Sequence, residues 1–289
     1  MSPRPATSWG AWWALGVILA LAGCSGDEEP QGSSSASPAP PASTSPADES
    51  DLDEKPPPDE GSCYRMSLEG AARPTSDAPP VPCSEDHTVR TVHVGRLDTV
   101  VQGHSLGVDS DRIQEQLAET CPAEVDEFLG GDAELRALSR FEAIWFSPDL
   151  EEYDAGATWF RCDVVAVGGP DALLRLPSDQ RLQGILDRPG SLDTYGLCGT
   201  AEPGAEGFER VACALPHTWV AISTIPIEGG DSYPGVDAVR EAGDETCSEE
   251  VRDRNGLVLE YRYGWEWPTA DQWAAGQRYG FCWAPNDLA

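Results

Sequence analysis

Two Cys-x3-His pairs are the residues of this sequence whose spacing is best suited to chemistry. Cys83 with His87 and Cys213 with His217 each offer half of the ligand set of a structural zinc site. Such a site needs four ligands and reduced thiolates, and metal binding would leave the other cysteines unpaired. We therefore favour disulfides, and predict that each histidine hydrogen-bonds a backbone group beside a disulfide and so fixes the strand that follows.

Other chemistry-bearing patterns are weak. The acidic pairs Glu151 with Glu152 and Glu249 with Glu250 resemble glycosidase carboxylates only superficially, because nothing in the sequence fixes a distance between two such groups. The sequence has no Cys-x-x-Cys, Ser-x-x-Lys or His-Glu-x-x-His motif and no phosphate-binding glycine loop. We therefore expect no catalytic residues, no metal and no cofactor.

Six tryptophans are candidates either for a binding platform or for the core. They are Trp145, Trp159, Trp265, Trp267, Trp273 and Trp283. Because most of them recur beside equivalent cysteines, we favour packing against disulfides over a platform for glycan or peptide. Trp267 and Trp283 are expected to be the freest, since Ser147 and Asp163 hold the equivalent positions earlier in the chain.

The cysteines beyond residue 60 form two sets with matching neighbours, which indicates a tandem duplication. The first set is Cys63, Cys83, Cys121 and Cys162, and the second is Cys198, Cys213, Cys247 and Cys282. Each set ends in a motif whose residues recur at identical intervals. These are Trp145, Pro148 and Gly156 in the first set, and Trp265, Pro268 and Gly276 in the second.

The elements that must position these residues can be predicted once per repeat. In the first repeat, alternating and helical spacing predict a strand at 88–94, a helix at 111–120, a strand at 141–146, a short helix at 149–155 and a closing strand at 157–167. In the second repeat, the same order is predicted at 218–225, 236–246, 257–265, 269–275 and 277–283. This order predicts an α+β fold, in which each repeat is a small antiparallel sheet with helices on one face.

The predicted repeats span residues 61–167 and 192–289, joined by a linker at 168–191. Residues 24–60 are rich in Ser, Pro and acidic residues and contain too few large apolar side chains to offset the entropy of folding, so they are predicted to be a disordered tether. Residues 1–23 have a basic start and an apolar stretch too short to span a membrane, which is typical of a secretory signal.

The signal ends in Leu-Ala-Gly before Cys24, which resembles the lipobox of bacterial lipoproteins. The resemblance implies cleavage before Cys24 and diacylglycerol on its sulfur. Acylation of the new amino terminus often follows, and two or more chains hold a protein at a membrane far better than one. We therefore predict a lipid-anchored protein on the extracytoplasmic face of the cell membrane.

Charge and cysteine content narrow the partners and the compartment. A formal net charge of −31 makes nucleic acid and anionic lipid poor direct partners.

Nine cysteines leave eight for disulfides once Cys24 carries lipid, which suits an oxidising compartment. Four cysteines per repeat allow three pairings, and we predict the sequential one, with each bond contributing about 3 to 4 kcal/mol. The predicted pairs are Cys63–Cys83, Cys121–Cys162, Cys198–Cys213 and Cys247–Cys282.

These motifs resemble the septum-formation domain family, found in membrane-linked and secreted proteins of high-GC Gram-positive bacteria. The family pattern is Gly-x-Cys, then Val-x-Cys-x3-His, a later cysteine after a helix, and Trp-x-x-Pro-x4-Trp-x-x-Gly before a closing cysteine. Both repeats carry it, although Tyr153 replaces the second tryptophan in the first repeat and an acidic residue after the histidine is missing from both. The resemblance implies a setting in septation or wall growth and no defined reaction.

These features favour a non-catalytic binding module of the cell envelope, anchored through Cys24, whose partner is an envelope or division protein. Three alternatives stay open. A purely structural spacer would lose no partner when the faces of the repeats are mutated. A wall-polymer hydrolase would require a cleft with a carboxylate pair at catalytic spacing. A metal-binding envelope module would require reduced cysteines beside His87 and His217.

The anchor and the disulfides can be tested on protein isolated from its membrane. Intact mass should show the loss of residues 1–23 and added lipid on Cys24. Eight cysteines should resist alkylation until the protein is reduced, because they are paired. Alkylation without reductant, or one zinc ion per repeat in the same sample, would contradict the disulfide prediction.

Overall fold

Each repeat folds around an antiparallel sheet, and the two sheets share one strand order. The structure is a computed structural model that describes residues 56–256 and 260–287. The predicted signal, Cys24 and the tether as far as residue 55 lie outside the described residues. Within the described ranges, no helix combines the length and apolar character that a membrane span requires.

The first repeat places a long helix against the central strands of its sheet. Its strands are β1 (Cys63–Tyr64), β2 (Pro80–Val81), β3 (Val89–Arg96), β4 (Val100–Val101), β5 (His104–Ser105), β6 (Phe141–Phe146), β7 (Trp159–Gly169) and β8 (Ala172–Leu173). Its helices are α1 (Leu68–Ala71), α2 (Asp111–Leu129), α3 (Ala133–Ala137) and α4 (Leu150–Asp154). The sheet order is β2-β1-β3-β7-β6, with β8 paired to β7, and α2 contacts β3, β6 and β7.

The second repeat reproduces this arrangement after a connecting segment. The connection contains α5 (Asp179–Leu182), a 3-10 helix (Ile185–Asp187) and α6 (Leu192–Tyr195). The strands are β9 (Leu197–Gly199), β10 (Arg210–Ala212), β11 (Trp219–Pro226), β12 (Gly264–Glu266) and β13 (Tyr279–Pro285). The helices are α7 (Val236–Ala242), α8 (Asp244–Arg254) and α9 (Ala270–Ala274). The order β10-β9-β11-β13-β12 matches the first sheet, so the predicted α+β fold with antiparallel sheets is confirmed.

The long helix of the first repeat continues well past its predicted end at residue 120. A proline usually breaks a helix, and Pro122 lies inside α2. The buried residues Ile113, Leu117, Cys121, Val125 and Leu129 nevertheless recur every fourth position along the whole helix. The burial of this continuous apolar stripe outweighs the hydrogen bond lost at the proline.

One predicted strand is much shorter in the structure. The strand expected at 257–265 is represented by β12, which begins at Gly264, and residues 257–259 lie outside the described ranges. In register, Gly264 pairs with Trp283 of β13, which ends two residues later at Pro285. Residues before Gly264 therefore have almost no partner strand left to pair with.

The connecting segment packs into the core and is not a free spacer. Leu182, Ile185 and Leu186 are buried with Val125 and Phe141 of the first repeat. The next residues bring the repeats into direct contact. The backbone N–H of Leu197 donates to the carbonyl of Leu138 at 2.7 Å, and that of Arg140 donates to the carbonyl of Tyr195 at 2.7 Å. Both repeats belong to one compact unit.

Trp265 explains why the long helix of the second repeat is divided into α7 and α8. A Cβ atom at Gly243, between these helices, would overlap the Trp265 ring, as would a Cβ atom at Gly280 of β13. Counted from the neighbouring cysteines, the first repeat has Leu117 and Phe160 at these positions. The second repeat thus exchanges two large side chains for glycines so that a large ring can pack there.

Gly243→Ala should therefore destabilise the second repeat, because the new methyl group enters space filled by a buried ring. We expect the free energy of unfolding to fall by about 1 to 3 kcal/mol in a denaturant titration. Gly230→Ala is the control, since a Cβ there meets open space, and its effect should stay within about 0.5 kcal/mol. Equal effects of the two substitutions would contradict this packing argument.

Candidate functional site

Disulfides hold each repeat at two places. The bonds join Cys63 to Cys83, Cys121 to Cys162, Cys198 to Cys213, and Cys247 to Cys282, which are the predicted pairs. In each repeat the first bond links a short strand to the turn before the long strand, and the second links the long helix to the central strand. As disulfides, these cysteines offer no thiolate to a metal. The described ranges also contain no group of three or more metal-ligating side chains.

His87 and His217 each contact the backbone through Nδ1. The Nδ1 of His87 lies 2.9 Å from the carbonyl oxygen of Glu85, and that of His217 lies 2.7 Å from the carbonyl oxygen of Leu215. Since a carbonyl oxygen only accepts, Nδ1 carries the proton in both, which leaves Nε2 for any further interaction. The predicted hydrogen bond to the backbone is present in both repeats.

The two histidines differ in what covers them. His87 is buried, and the backbone N–H of Leu176 donates to its carbonyl oxygen at 2.9 Å. The Nε2 atom of His87 has no hydrogen-bond partner among the described residues. His217 is partly exposed and lines an open cleft. The duplicated turn is therefore closed by the connecting chain in the first repeat and accessible in the second.

The closing motif of each repeat forms a short helix with a fixed start. Asp149 and Glu152 make reciprocal side-chain-to-backbone hydrogen bonds at the start of α4, and Thr269 and Gln272 make the same capping box on α9. The motif prolines come directly before these caps and are Pro148 and Pro268. The motif therefore positions a helix end, which is a structural role.

Glycines end these helices, and aromatic side chains fasten them to a loop. Gly156 and Gly276 have φ values of 105° and 96°, which L side chains rarely adopt. The Tyr153 hydroxyl donates to the Leu106 carbonyl at 2.6 Å, and Trp273 Nε1 donates to the Gly230 carbonyl at 3.1 Å. The equivalent aromatic residues thus hold the loop before the long helix in each repeat.

Most of the candidate tryptophans are packing residues. Trp145 Nε1 donates to the Gln114 side chain at 3.4 Å, and Trp265 Nε1 donates to the Val239 carbonyl at 3.2 Å, so both bind the long helix. The expectation that Trp283 is free is wrong. Its side chain is fully buried and packs edge-on against Phe208. The equivalent position in the first repeat holds the smaller side chain of Asp163.

Trp267 is also less free than expected. It is partly buried and packs against the core cluster around Trp265 and Trp273. Glu151 and Glu249 of the acidic pairs are exposed, and Glu249 forms a surface ion pair with Arg252 at 3.7 Å. Their neighbours have structural roles. Glu152 caps α4, and Glu250 accepts a hydrogen bond from Ser223.

One segment has the Gly-x-Ser-x-Gly spacing of a hydrolase nucleophile, which the expectation of no catalytic residues overlooks. It runs from Gly103 to Gly107, with Ser105 at its centre. In hydrolases the serine occupies a sharp turn between a strand and a helix. Here Ser105 is exposed and belongs to the two-stranded hairpin β4–β5, where it pairs with Val100. The context that the motif requires is therefore missing.

The first repeat buries a charged pair that the sequence did not reveal. Arg161 and Asp163 on β7 are both buried, with Arg161 Nε 3.2 Å from Asp163 Oδ2. The other carboxylate oxygen accepts a 2.7 Å hydrogen bond from the Thr91 hydroxyl. Burial raises the pKa of Asp163 to about 6, although Arg161 and Thr91 act in the opposite direction. The only sequence signal was the polar residues within an apolar strand.

A cleft of about 400 Å³ lies where the two repeats meet, and it is the candidate binding site. Leu138 of the first repeat and Leu192 of α6 form part of its apolar wall, together with Val220, Ala221 and Ile222 of β11. The polar groups at this wall are Asp193, His217, Arg254 and Asn286. Such a combination of apolar wall and few polar groups suits a polypeptide segment better than a polyanion.

Comparison with known proteins gives one family. A model described as septum formation matches residues 34–139 and, in an overlapping segment, residues 109–282. These segments together cover most of the chain and include both cysteine sets. Neither curated proteins nor solved structures give a match.

The buried carboxyl of Asp163 should make stability depend on pH. Between its ordinary pKa of 3.8 and about 6, the folded protein keeps a proton that the unfolded chain has released. Rising pH therefore lowers stability through this group, by about 3 kcal/mol in total. The Asp163→Asn variant lacks this group, so its stability relative to the wild type should rise from pH 4 to pH 7 by most of that amount, about 2 kcal/mol. A pH-independent difference in denaturant titrations would refute this assignment.

Proposed function

Because the chain belongs to the septum formation family, we propose that it acts in septum formation as a non-catalytic binding module anchored at the cell membrane. The observation that carries the binding role is the cleft between the repeats. It presents an accessible histidine, two charged side chains and an amide around an apolar wall. The partner that fits is a polypeptide of another envelope or division protein.

The polar side chains of the cleft can form hydrogen bonds and ion pairs with such a partner. His217 is oriented by the Leu215 carbonyl through Nδ1, which leaves Nε2 available for a hydrogen bond with the partner. Asp193 and Arg254 are exposed and carry opposite charges. These groups complement the mixed donors and acceptors of a peptide backbone, whereas a uniformly anionic ligand would meet a chain of net charge −31.

A non-catalytic role is consistent with how the reactive side chains are used. The paired cysteines, both motif histidines and the capping carboxylates have structural partners. Ser105 lies in an exposed hairpin and lacks the strand-to-helix turn of a nucleophile. The protein therefore acts by binding partners at its surface.

The membrane anchor rests on the sequence around Cys24. An apolar segment before it and a polar segment after it match a lipoprotein signal. Residues 56–60 lie against the first repeat, so a tether of about 31 residues would hold the folded repeats roughly 28 to 33 Å from the anchor. That distance suits a module that reaches partners above the membrane surface.

Site-specific photocrosslinking in dividing cells tests the proposed site. A photoreactive residue at Asp193, at the cleft, should give a discrete crosslinked product with an envelope protein. The matched control is Asp271, which is likewise an exposed aspartate in the first turn of a short helix but lies outside the cleft. It should give no such product.

The same experiment with Cys24→Ala tests the anchor. Without the lipid the protein should leave the membrane fraction, and the crosslink at Asp193 should be lost. Identical products at Asp193 and Asp271, or none at either, would contradict the cleft as a binding site. Retention of Cys24→Ala protein that has lost residues 1–23, as shown by its intact mass, would contradict the lipid anchor.

A further inference from the structure

Strand β6 forms one edge of the first sheet and pairs only with β7. Backbone groups of an antiparallel strand alternate in direction, so every second residue points to the open side. The N–H of Val167 on β7 donates to the carbonyl of Arg140 at 2.8 Å, which places the even-numbered residues toward β7. Ala143 and Trp145 therefore direct their backbone N–H and C=O groups outward. Within the described residues these backbone groups have no hydrogen-bond partner.

Both ends of this edge already bond to backbone of the same chain. At one end the N–H of Arg140 donates to the carbonyl of Tyr195 at 2.7 Å. At the other end the N–H of Ser147 donates to the carbonyl of Pro74 at 3.2 Å. The edge is thus able to pair with a polypeptide. The unpaired part between these contacts is about five residues long, or roughly 17 Å in an extended strand.

A groove of about 290 Å³ runs beside the unpaired part of the edge. It is lined by Ala143, Ile144 and Trp145 of β6, by Gln114 of α2 and by the segment 71–74. All three residues of β6 are partly exposed. The lining contains no carboxylate, although the chain has 50 acidic residues. An approaching chain therefore meets accessible backbone groups and space for uncharged side chains beside them.

The equivalent edge of the second repeat is protected. Strand β12 has only three residues, and a Cβ atom at its Gly264 would lie 2.7 Å from the Pro203 ring. Next to this contact, Glu202 forms an ion pair with Arg262 at 2.7 Å. Short strands, prolines and charges are the usual means of blocking an edge. Strand β6 has six residues, no proline and Glu142 as its one charged residue, so the first repeat lacks the protection that the second has.

We propose that β6 binds an extended segment of a partner polypeptide as an additional strand of the first sheet. The backbone of the partner bonds the outward groups of Ala143 and Trp145, whose two-residue spacing matches that of an extended chain. Uncharged side chains at alternate positions of the partner occupy the groove. This surface is separate from the cleft between the repeats, because the two share no lining residue.

Charge and composition argue against two other occupants of the edge. A second copy would bring another chain of net charge −31 against the first, and like charges oppose association. Residues 25–55 of this chain are rich in Ser, Pro and acidic residues. Proline cannot donate to a strand ladder, and acidic residues are depleted in strands. A partner segment of uncharged, β-branched residues has neither disadvantage.

Titration of the purified protein with the peptide acetyl-Thr-Val-Thr-Val-Thr-Val-amide tests the proposal. Backbone amide NMR signals of Ala143 and Trp145 should shift until they saturate. Two analogues, N-methylated on the second and fourth or on the third and fifth residues, block opposite edges of the peptide. One analogue should bind at least about tenfold more weakly than the parent peptide, because it cannot donate to β6. The other should bind within about twofold of the parent.

The Ala143→Pro variant tests the same contact from the protein side. It removes an outward N–H and no bond to β7, a change that edge strands tolerate. Binding of the parent peptide should weaken at least about tenfold. Ala133→Pro is the matched control, because Ala133 is the exposed first residue of α3, where proline is also tolerated. Its binding should equal that of the wild type.

The two methylated analogues decide the case on the wild type even if Ala143→Pro does not fold. No shift at Ala143 and Trp145, or equal affinities of the analogues, overturns the proposal, as does unchanged binding by a folded Ala143→Pro protein. A dimer that forms with rising concentration and is lost in Ala143→Pro would assign the edge to a second copy. Binding that requires removal of residues 25–55 would assign it to that segment. Either result overturns the proposal, whereas crosslinking at Asp193 reports on the cleft alone.

Discussion

The disulfide between the long helix and the central strand is the constraint on which each repeat depends. Cys162 on β7 and Cys282 on β13 lie in strands that pair on both sides, and each bonds to a buried cysteine of the helix above. Many of the other strands are only two or three residues long and supply few ladder hydrogen bonds. A covalent link from helix to sheet fixes the layer spacing that a small core alone would hold weakly.

With that spacing fixed, the two repeats tolerate large exchanges of volume beneath the helix. In register, Gly95 pairs with Phe160 in the first sheet, while Ile225 pairs with Gly280 in the second. The large residue of the pair lies on the closing strand in the first sheet and on the preceding long strand in the second. In the second sheet the ring of Trp265 packs over Gly280. Cores accept such changes when total volume is kept, so sequence divergence and an unchanged strand order are compatible.

The face of each sheet that points away from the long helix differs between the two repeats. In the second repeat this face is apolar and is covered partly by Leu138 of the first repeat, which joins the repeats into one unit. In the first repeat it carries Arg161 and Asp163 beneath a covering segment of its own chain. Duplication thus supplied one copy whose face is used for assembly and another whose face holds a buried charge.

The sequence alone determined the duplication and the α+β class, because these follow from recurring motifs and local spacing. For the disulfides it left three pairings per repeat, and for the histidines it left a metal site as an alternative. The structure has the sequential pairs and a backbone contact at each histidine. The sequence did not determine the extent of α2 or β12, because the end of a helix or strand depends on the apolar stripe or partner strand that it meets. Nor did it reveal the burial of Trp283, the buried pair of Arg161 and Asp163, or the cleft between the repeats. These arise from contacts between residues far apart in the chain, and only the tertiary structure decides which side chains share the same space.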